Sequence, residues 1–328
     1  MDRILKRQLL AGLCVAICCA ALGQAPASRA AQPYPDKPIR VIVPFGPGTG
    51  TDILARILTE DLRASNGWSF VVDNRAGGSA QIAAELAARA APDGYTLFLS
   101  TNTPHSANPF LFKKINYDPI KDFAAVSRLI YYSFILVVNP GSNIKTVPEL
   151  LAFVRANPGK TSYAFGNSTG QVNGAFFVKA AKLDSIAVPY KSTPPAMTDI
   201  IGGQVHFMFV DTASSQGHVK AGRLRAIGVM SDQRSKILPD LPAVGETVPG
   251  FDTTPWAGFF VPAGTAKTII SRLSDETQKT INKPAVHQKL TELGLEPVPS
   301  GPAELDRFVQ QQLKNWGKKI RDAGIQPE

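Results

Sequence analysis

From Ile39 to Asp52 the chain reads as a buried strand, a glycine-rich turn and the start of a helix. Ile39 to Val43 is a short, largely β-branched run of the kind a parallel sheet buries on both faces. Pro44 ends it, because proline cannot donate to the ladder. Gly46, Gly48 and Gly50 let the backbone approach a ligand with no Cβ in the way. Thr51 or Asp52 is expected to cap a helix carrying Ile53, Leu54, Ile57 and Leu58 on one face. Free N–H groups at a helix start attract anions, so this loop is expected to hold a small carboxylate.

The same alternation continues. Ser69–Asp73 reads as a second strand, and Ser79 as the cap of an alanine-rich helix to about Ala90. Tyr95–Ser100 reads as a third strand delivering Thr101, Asn102 and Thr103 to a loop. This β-α-β-α-β order is the signature of a parallel, helix-flanked sheet. Phe123–Leu129 and Ser133–Val138 are strand-like, and the first crossing between lobes is placed near Tyr132. Thr146 and Glu149 form a capping box with Pro148 in the first turn. Beyond it, Ser162–Phe165, Ile186–Tyr190, Val205–Val210 and Leu224–Met230 read as strands of a second α/β lobe. There Gly166-Asn167-Ser168-Thr169-Gly170 forms a second glycine-and-hydroxyl turn ahead of a helix from Gln171. Val205–Val210 delivers Asp211, and a helix near Ser214–Ala221 follows. Trp256–Val261 is expected to rejoin the first sheet. Helices over Ala266–Asn282, Pro284–Leu293 and Pro302–Ala323 finish the chain. The expected division is a first lobe over 31–132, a second over 133–253 and a return to the first over 254–328. The polar loops all follow strands, where a cleft between two α/β lobes binds small molecules.

Residues 1–30 are read as a secretory signal peptide. Arg3, Lys6 and Arg7 precede an apolar run from Leu9 to Leu22, and Ser28 and Ala30 have cleavage-site spacing. The cut is expected near Ala30 or Ala31. All three cysteines, Cys14, Cys18 and Cys19, fall in this leader, so the mature chain has no thiol chemistry. The net charge is +9; the leader takes away four positive charges and one negative, leaving +6. The basic residues are scattered, with no stripe for nucleic acid, and a mild positive field suits an anionic solute.

Several stretches together carry a family resemblance. They are Tyr34-Pro35-Asp36-Lys37-Pro38-Ile39, Val43-Pro44-Phe45 with its glycine loop, and Asp73-Asn74-Arg75. Pro92-Asp93-Gly94-Tyr95, Tyr117-Asp118-Pro119 and Asn157-Pro158-Gly159-Lys160 follow. Val188-Pro189-Tyr190-Lys191, Gly202-Gly203-Gln204-Val205, Pro262-Ala263-Gly264-Thr265 and Trp316-Gly317-Lys318 complete the series. In this order, over the mature chain, they resemble the Bug-type periplasmic solute receptors of tripartite tricarboxylate transporters. The resemblance implies a two-lobed type II periplasmic-binding-protein fold, with mixed sheets flanked by helices. It implies a monomeric receptor without catalysis or cofactor, working with membrane permease subunits or a sensor. It places the solute against Phe45, Gly46, Gly48, Thr49, Gly50 and Thr51, against Thr101, Asn102 and Thr103, and against Asn167, Ser168, Thr169, Gln171 and Asp211. The chain departs from the family pattern at Thr49, at Gln171 where histidine is frequent, and at Ser192 in place of glycine.

Two other readings compete. Gly166-Asn167-Ser168-Thr169-Gly170 matches a G-x-S-x-G nucleophile elbow, with Asp211 and His218 following in hydrolase order. That makes a secreted serine hydrolase using Ser168 the alternative function. Gly46-x-Gly48 after a strand imitates a dinucleotide fingerprint, but Thr51 stands at its third glycine and Pro47 removes an N–H. The histidines are dispersed without metal-ligand spacing, and no metal site is expected.

Overall fold

The computed structural model describes residues Tyr34–Glu328. The predicted leader, its cysteines and its cut lie outside the described residues. In chain order the elements are β1 (Ile39–Val43), α1 (Gly50–Asn66), β2 (Phe70–Asn74), α2 (Gln81–Ala88) and β3 (Thr96–Thr101). Next come α3 (Asn108–Leu111), β4 (Phe123–Tyr132), β5 (Phe134–Val138), α4 (Val147–Ala156), β6 (Thr161–Phe165), α5 (Ser168–Ala180) and β7 (Ser185–Pro189). Then follow α6 (Thr193–Ile201), β8 (Phe207–Asp211), α7 (Thr212–Lys220), β9 (Arg225–Val229) and β10 (Trp256–Pro262). The chain ends with α8 (Lys267–Asn282), α9 (Pro284–Glu292), β11 (Leu295–Ser300) and α10 (Pro302–Asp322).

Two mixed sheets result. The first has the order β11-β4-β10-β3-β1-β2 and the second β7-β6-β8-β5-β9. In the first, β1 pairs in parallel with β2 and β3, while β10 runs antiparallel between β3 and β4. In the second, β6 is parallel to β7 and β8, while β5 runs antiparallel between β8 and β9. The chain passes between sheets at Ser133 and returns through 230–255. Trp256 to Pro262 rejoins the first sheet at its centre, which is why every residue of β10 is buried.

Each sheet packs its own core. Ile42, Phe98, Trp256 and Phe260 meet Ala83, Ala84 and Ala87 of α2 and Leu305 and Val309 of α10. Alanines on α2 let that helix lie close to the sheet. Ile135, Val137, Met208 and Val210 meet Ala196, Met197 and Ile200 of α6. A third cluster joins Ala107 and Leu111 to Val172 of α5 and to Trp316, Ile320 and Ala323 at the end of the chain.

Local chemistry corrects several expectations. The cap of α1 is Thr49, not Thr51 or Asp52: its Oγ1 accepts from the Asp52 N–H at 3.3 Å, and the helix begins at Gly50. Ser79 caps nothing; it lies at φ 50° in a 3₁₀ turn, and α2 ends at Ala88. Residues after β3 form no open loop, because Thr103–Ala107 coil into a π-helical turn that runs into α3. Helix α5 starts at Ser168 rather than Gln171, since Asn167 accepts from the Gly170 N–H at 2.9 Å and caps it three residues earlier. Helix α4 is capped by Thr146, but the reciprocal arm of the capping box lands on the Lys145 N–H, 2.6 Å from the Glu149 carboxylate. Strand β11, unforeseen in the sequence, adds the edge of the first sheet.

His105, on the π-helical turn, is fully buried among Phe98, Phe123, Trp256 and Phe260, and its ring stacks on Phe260 at 4.0 Å. Its Nδ1 lies 2.6 Å from Ser100 Oγ. Burial pushes its pKa down to about 3. The imidazole is therefore neutral in the fold, and the unfolded chain takes a proton that the native one refuses below about pH 6.5. Stability drawn from His105 is present above that pH and is lost as pH falls toward 3, at about 1.4 kcal/mol per pH unit. In urea unfolding, the gap between the wild-type chain and His105→Gln is expected to narrow by about 2 kcal/mol from pH 7 to pH 5. A gap independent of pH would show that His105 takes up its proton in the folded chain as readily as in the unfolded one.

Candidate functional site

Thr51, at the start of α1, and Thr169, at the start of α5, lie on opposite lobes and line one small cavity of about 20 Å³. Phe45, Thr101, Asn102, Thr103, Asn167 and Asp211 line it too, together with Tyr132 and Phe134 from the first crossing. That volume is room for about one water molecule. The lobes are closed on each other here, and a polyatomic solute needs them apart to enter.

The closure is held by hydroxyls and one amide. Asn102 Nδ2 donates to Thr169 Oγ1 at 3.1 Å and to Ser168 Oγ at 3.3 Å. Thr103 Oγ1 and Ser168 Oγ are 2.8 Å apart, and the Ser168 N–H points to Thr103 Oγ1 at 3.4 Å. The Trp256 N–H donates to Asn102 Oδ1, which fixes the direction of the amide. Thr51 Oγ1 sits 2.9 Å from Tyr132 Oη. The first-turn N–H groups of Gly50, Thr51 and Thr169 take no acceptor among the described residues. They are the donors that a helix start leaves over.

Asp211 caps α7 through the Ser214 N–H at 2.9 Å and Ser214 Oγ at 2.8 Å. Burial drives its pKa up; the two bonds from Ser214 pull the other way without overcoming it. Among the described residues no cation lines the cavity with it. Gly50 packs directly on this carboxylate: a Cβ there would fall 2.3 Å from Asp211 Oδ1.

Other expected positions are near the cavity without lining it. Thr49 donates its hydroxyl to the Gly46 carbonyl at 2.8 Å, so that hydroxyl is spent inside its own loop. The Gly48 N–H is spent on Asp52 at 3.0 Å. Burial works against the Asp52 charge, but Arg56 and the Gly48 N–H outweigh it and hold the carboxyl below its usual range. A Cβ on Gly46 would lie 3.0 Å from Ser192 Oγ, so Gly46 faces the second lobe's loop. Ser168 is wholly buried in the hydroxyl cluster behind the cavity wall, and Gln171 lies one turn further along α5. Tyr132 and Phe134 were not foreseen as lining residues. The signal was their position on either side of Ser133, since residues at a crossing of a two-lobed protein border its cleft.

The hydrolase constellation does not assemble. Ser168 Oγ bonds Thr103 and Asn102, the Asp211 carboxylate bonds Ser214, and His218 lies inside α7 with Nδ1 buried and unpartnered. No hydrogen bond among the described residues links the three as a triad requires.

Comparison with known proteins agrees with the fold. The family model described as the tripartite tricarboxylate transporter family receptor matches residues 54–325. Protein BugT of Bordetella pertussis is 32% identical over 299 residues, covering 90% of this chain and 91% of its own. The Rhodopseudomonas palustris protein Rpa4515, solved with adipate, superposes with a TM-score of 0.87 at 31% identity, over 90% of this chain and all of its own. MatC of the same organism, solved with bound malate, gives 0.81 at 28% identity, over 88% of this chain and all of its own.

If Gly50 is what lets α1 meet Asp211, Gly50→Ala holds the lobes apart. Small-angle scattering is expected to give the variant a larger radius of gyration than the wild-type chain under identical conditions. Equal radii would mean that the contact does not govern closure.

Proposed function

This chain belongs to the tripartite tricarboxylate transporter receptor family, and from that premise we propose that its interlobe cleft captures a small carboxylated solute. In this reading the mature chain works in the periplasm, after removal of a leader over 1–30. It passes the solute to membrane permease subunits or to a sensor. The lobes would be 31–132 with 254–328, and 133–253. Among the described residues no helix is long and apolar enough to cross a membrane.

The observation that carries the proposal is the pair of helix starts, α1 and α5, presented by opposite lobes to one small cavity with unspent N–H groups and, among the described residues, no cation. Neutral donors of this kind bind an anion without leaving a buried lysine or arginine unpaired when the site empties. Hydrogen bonds to a charged group contribute about 1.5–3 kcal/mol each, so two or three fit micromolar binding once closure is subtracted. Relatives solved with adipate and with malate support an acid as ligand. Asp211, buried without a cation, selects a solute that also donates there, through a hydroxyl, an ammonium or a protonated acid group. The proposal makes the protein a receptor rather than an enzyme, and the dispersal of Ser168, Asp211 and His218 among separate partners favours that reading.

Thermal unfolding of the mature protein against a panel of mono- and dicarboxylates, with their methyl esters as controls, tests the reading. A stabilising acid is expected to raise the melting temperature by mass action while its ester does nothing. Hydrolysis of an ester, lost in Ser168→Ala, would overturn it in favour of catalysis. With the stabilising acid in hand, Ser168→Ala combined with Thr169→Ala is expected to weaken binding at least tenfold by calorimetry. Ser168 acts there through closure and Thr169 through the cavity, and an unaltered affinity would take the α5 start out of the site.

A further inference from the structure

A second and larger cavity, of about 560 Å³, opens on the seam between the two lobes. Its walls come from β5, β9, α7 and the segment 236–241 on one side, and from the end of α9 and the turn that follows it on the other. The volume is that of a small-molecule site, not of a packing defect. Ile135, Val219, Ala226, Ile237, Leu238 and Leu241 make the walls apolar. Lys220 and Lys236 stand at its edge, both exposed, and neither is paired with a carboxylate among the described residues. One acid, Glu292, also lines it, and its Oε1 accepts from Gln288 at 2.8 Å. The polar groups nearest the seam are already engaged: Thr212 Oγ1 donates to the Leu293 carbonyl at 2.8 Å and Gln216 Nε2 to the Glu292 carbonyl at 3.0 Å. What remains for a ligand is an apolar interior with two ammonium groups at its mouth.

We propose that this cavity is a second ligand site, for a free organic acid with an apolar body, seated with its acid group toward Lys220 and Lys236. Apolar burial supplies most of the affinity and the lysines supply orientation and selection for charge. The occupant touches both lobes, so it favours the arrangement in which they meet. Helix α7 ties the two sites together. It is capped by Asp211, on the small cavity between the lobes, and ends at Lys220, on the large one. The seam is tight: Gly294 lies at φ 71°, and a Cβ there would come within 1.9 Å of Thr212 Oγ1.

Octanoate, titrated calorimetrically into the mature protein, is the probe, with octanol as the uncharged control. Saturable one-to-one binding of octanoate is expected, at least fivefold weaker in Lys220→Glu/Lys236→Glu and lost in Val219→Trp, whose side chain fills the cavity. Both changes lie on exposed or half-exposed positions of the second lobe, and a far-ultraviolet spectrum and melting temperature verify folding. Absence of octanoate binding at millimolar concentration overturns the proposal. So does binding that neither variant changes, which would put octanoate in the cleft between the lobes, and so does octanol binding as well as octanoate.

Discussion

An α-helix cannot satisfy its own first N–H groups, and in this protein two helices are aimed so that this deficit falls at one place. Helices α1 and α5 start on opposite lobes, each after the C-terminal end of a strand, and meet at the small cavity. The sheets are arranged to make that possible. Each carries parallel strands that deliver loops to one edge and an antiparallel strand, β10 or β5, inserted by the crossing of the chain; the first sheet has a second antiparallel strand, β11, at its edge. At the cavity the hydroxyls of Thr103, Ser168 and Thr169 and the amide of Asn102 join the two lobes by polar contacts, and beside it Val172 of α5 packs on Ala107, Leu111 and Trp316 of the first lobe. The polar contacts exchange readily with water when the cleft opens, whereas the apolar cluster resists separation.

Much of this was legible in the sequence, because the signals were local. β1 and the following glycines, α4 with Pro148 in its first turn and the succession of β1 to β10 along the chain rest on period, caps and turn chemistry. The helix starts were legible only to within a few residues. Thr49 outcompetes Thr51 and Asp52 as a cap because Asp52 is drawn back to the Gly48 N–H and forward to Arg56. Asn167 outcompetes its neighbours because its extended backbone puts Oδ1 under the Gly170 N–H. β11 and the π-helical turn at Thr103–Ala107 left no local trace. The first, Leu295-Glu-Pro-Val-Pro-Ser300, contains two prolines and is tolerated only because it lies at a sheet edge. The second depends on where His105 finds room among aromatic rings from three strands.

The candidate site was legible as a set of loops, not as a set of contacts. Phe45, Thr51, Thr101, Asn102, Thr103, Asn167, Thr169 and Asp211 come together at one cavity, and nothing in their spacing states which hydroxyl meets which. Ser168 illustrates the limit: the same residue reads as donor, cap or nucleophile in the sequence, and only its placement opposite Thr103 distinguishes these. Tyr132 and Phe134 belong to strands, and the reason they border the cleft is the change of sheet at Ser133.

The inward turn of Asp52 has an entropic side. By binding the Gly48 N–H, and with Thr49 closing onto the Gly46 carbonyl, it stiffens the loop before α1 from within. The ordering cost of that loop is met when the chain folds, not when a solute arrives. One half of the cleft is therefore preorganised on a single lobe. A solute entering the proposed cleft would meet that half already formed, and the second lobe's approach would complete the site.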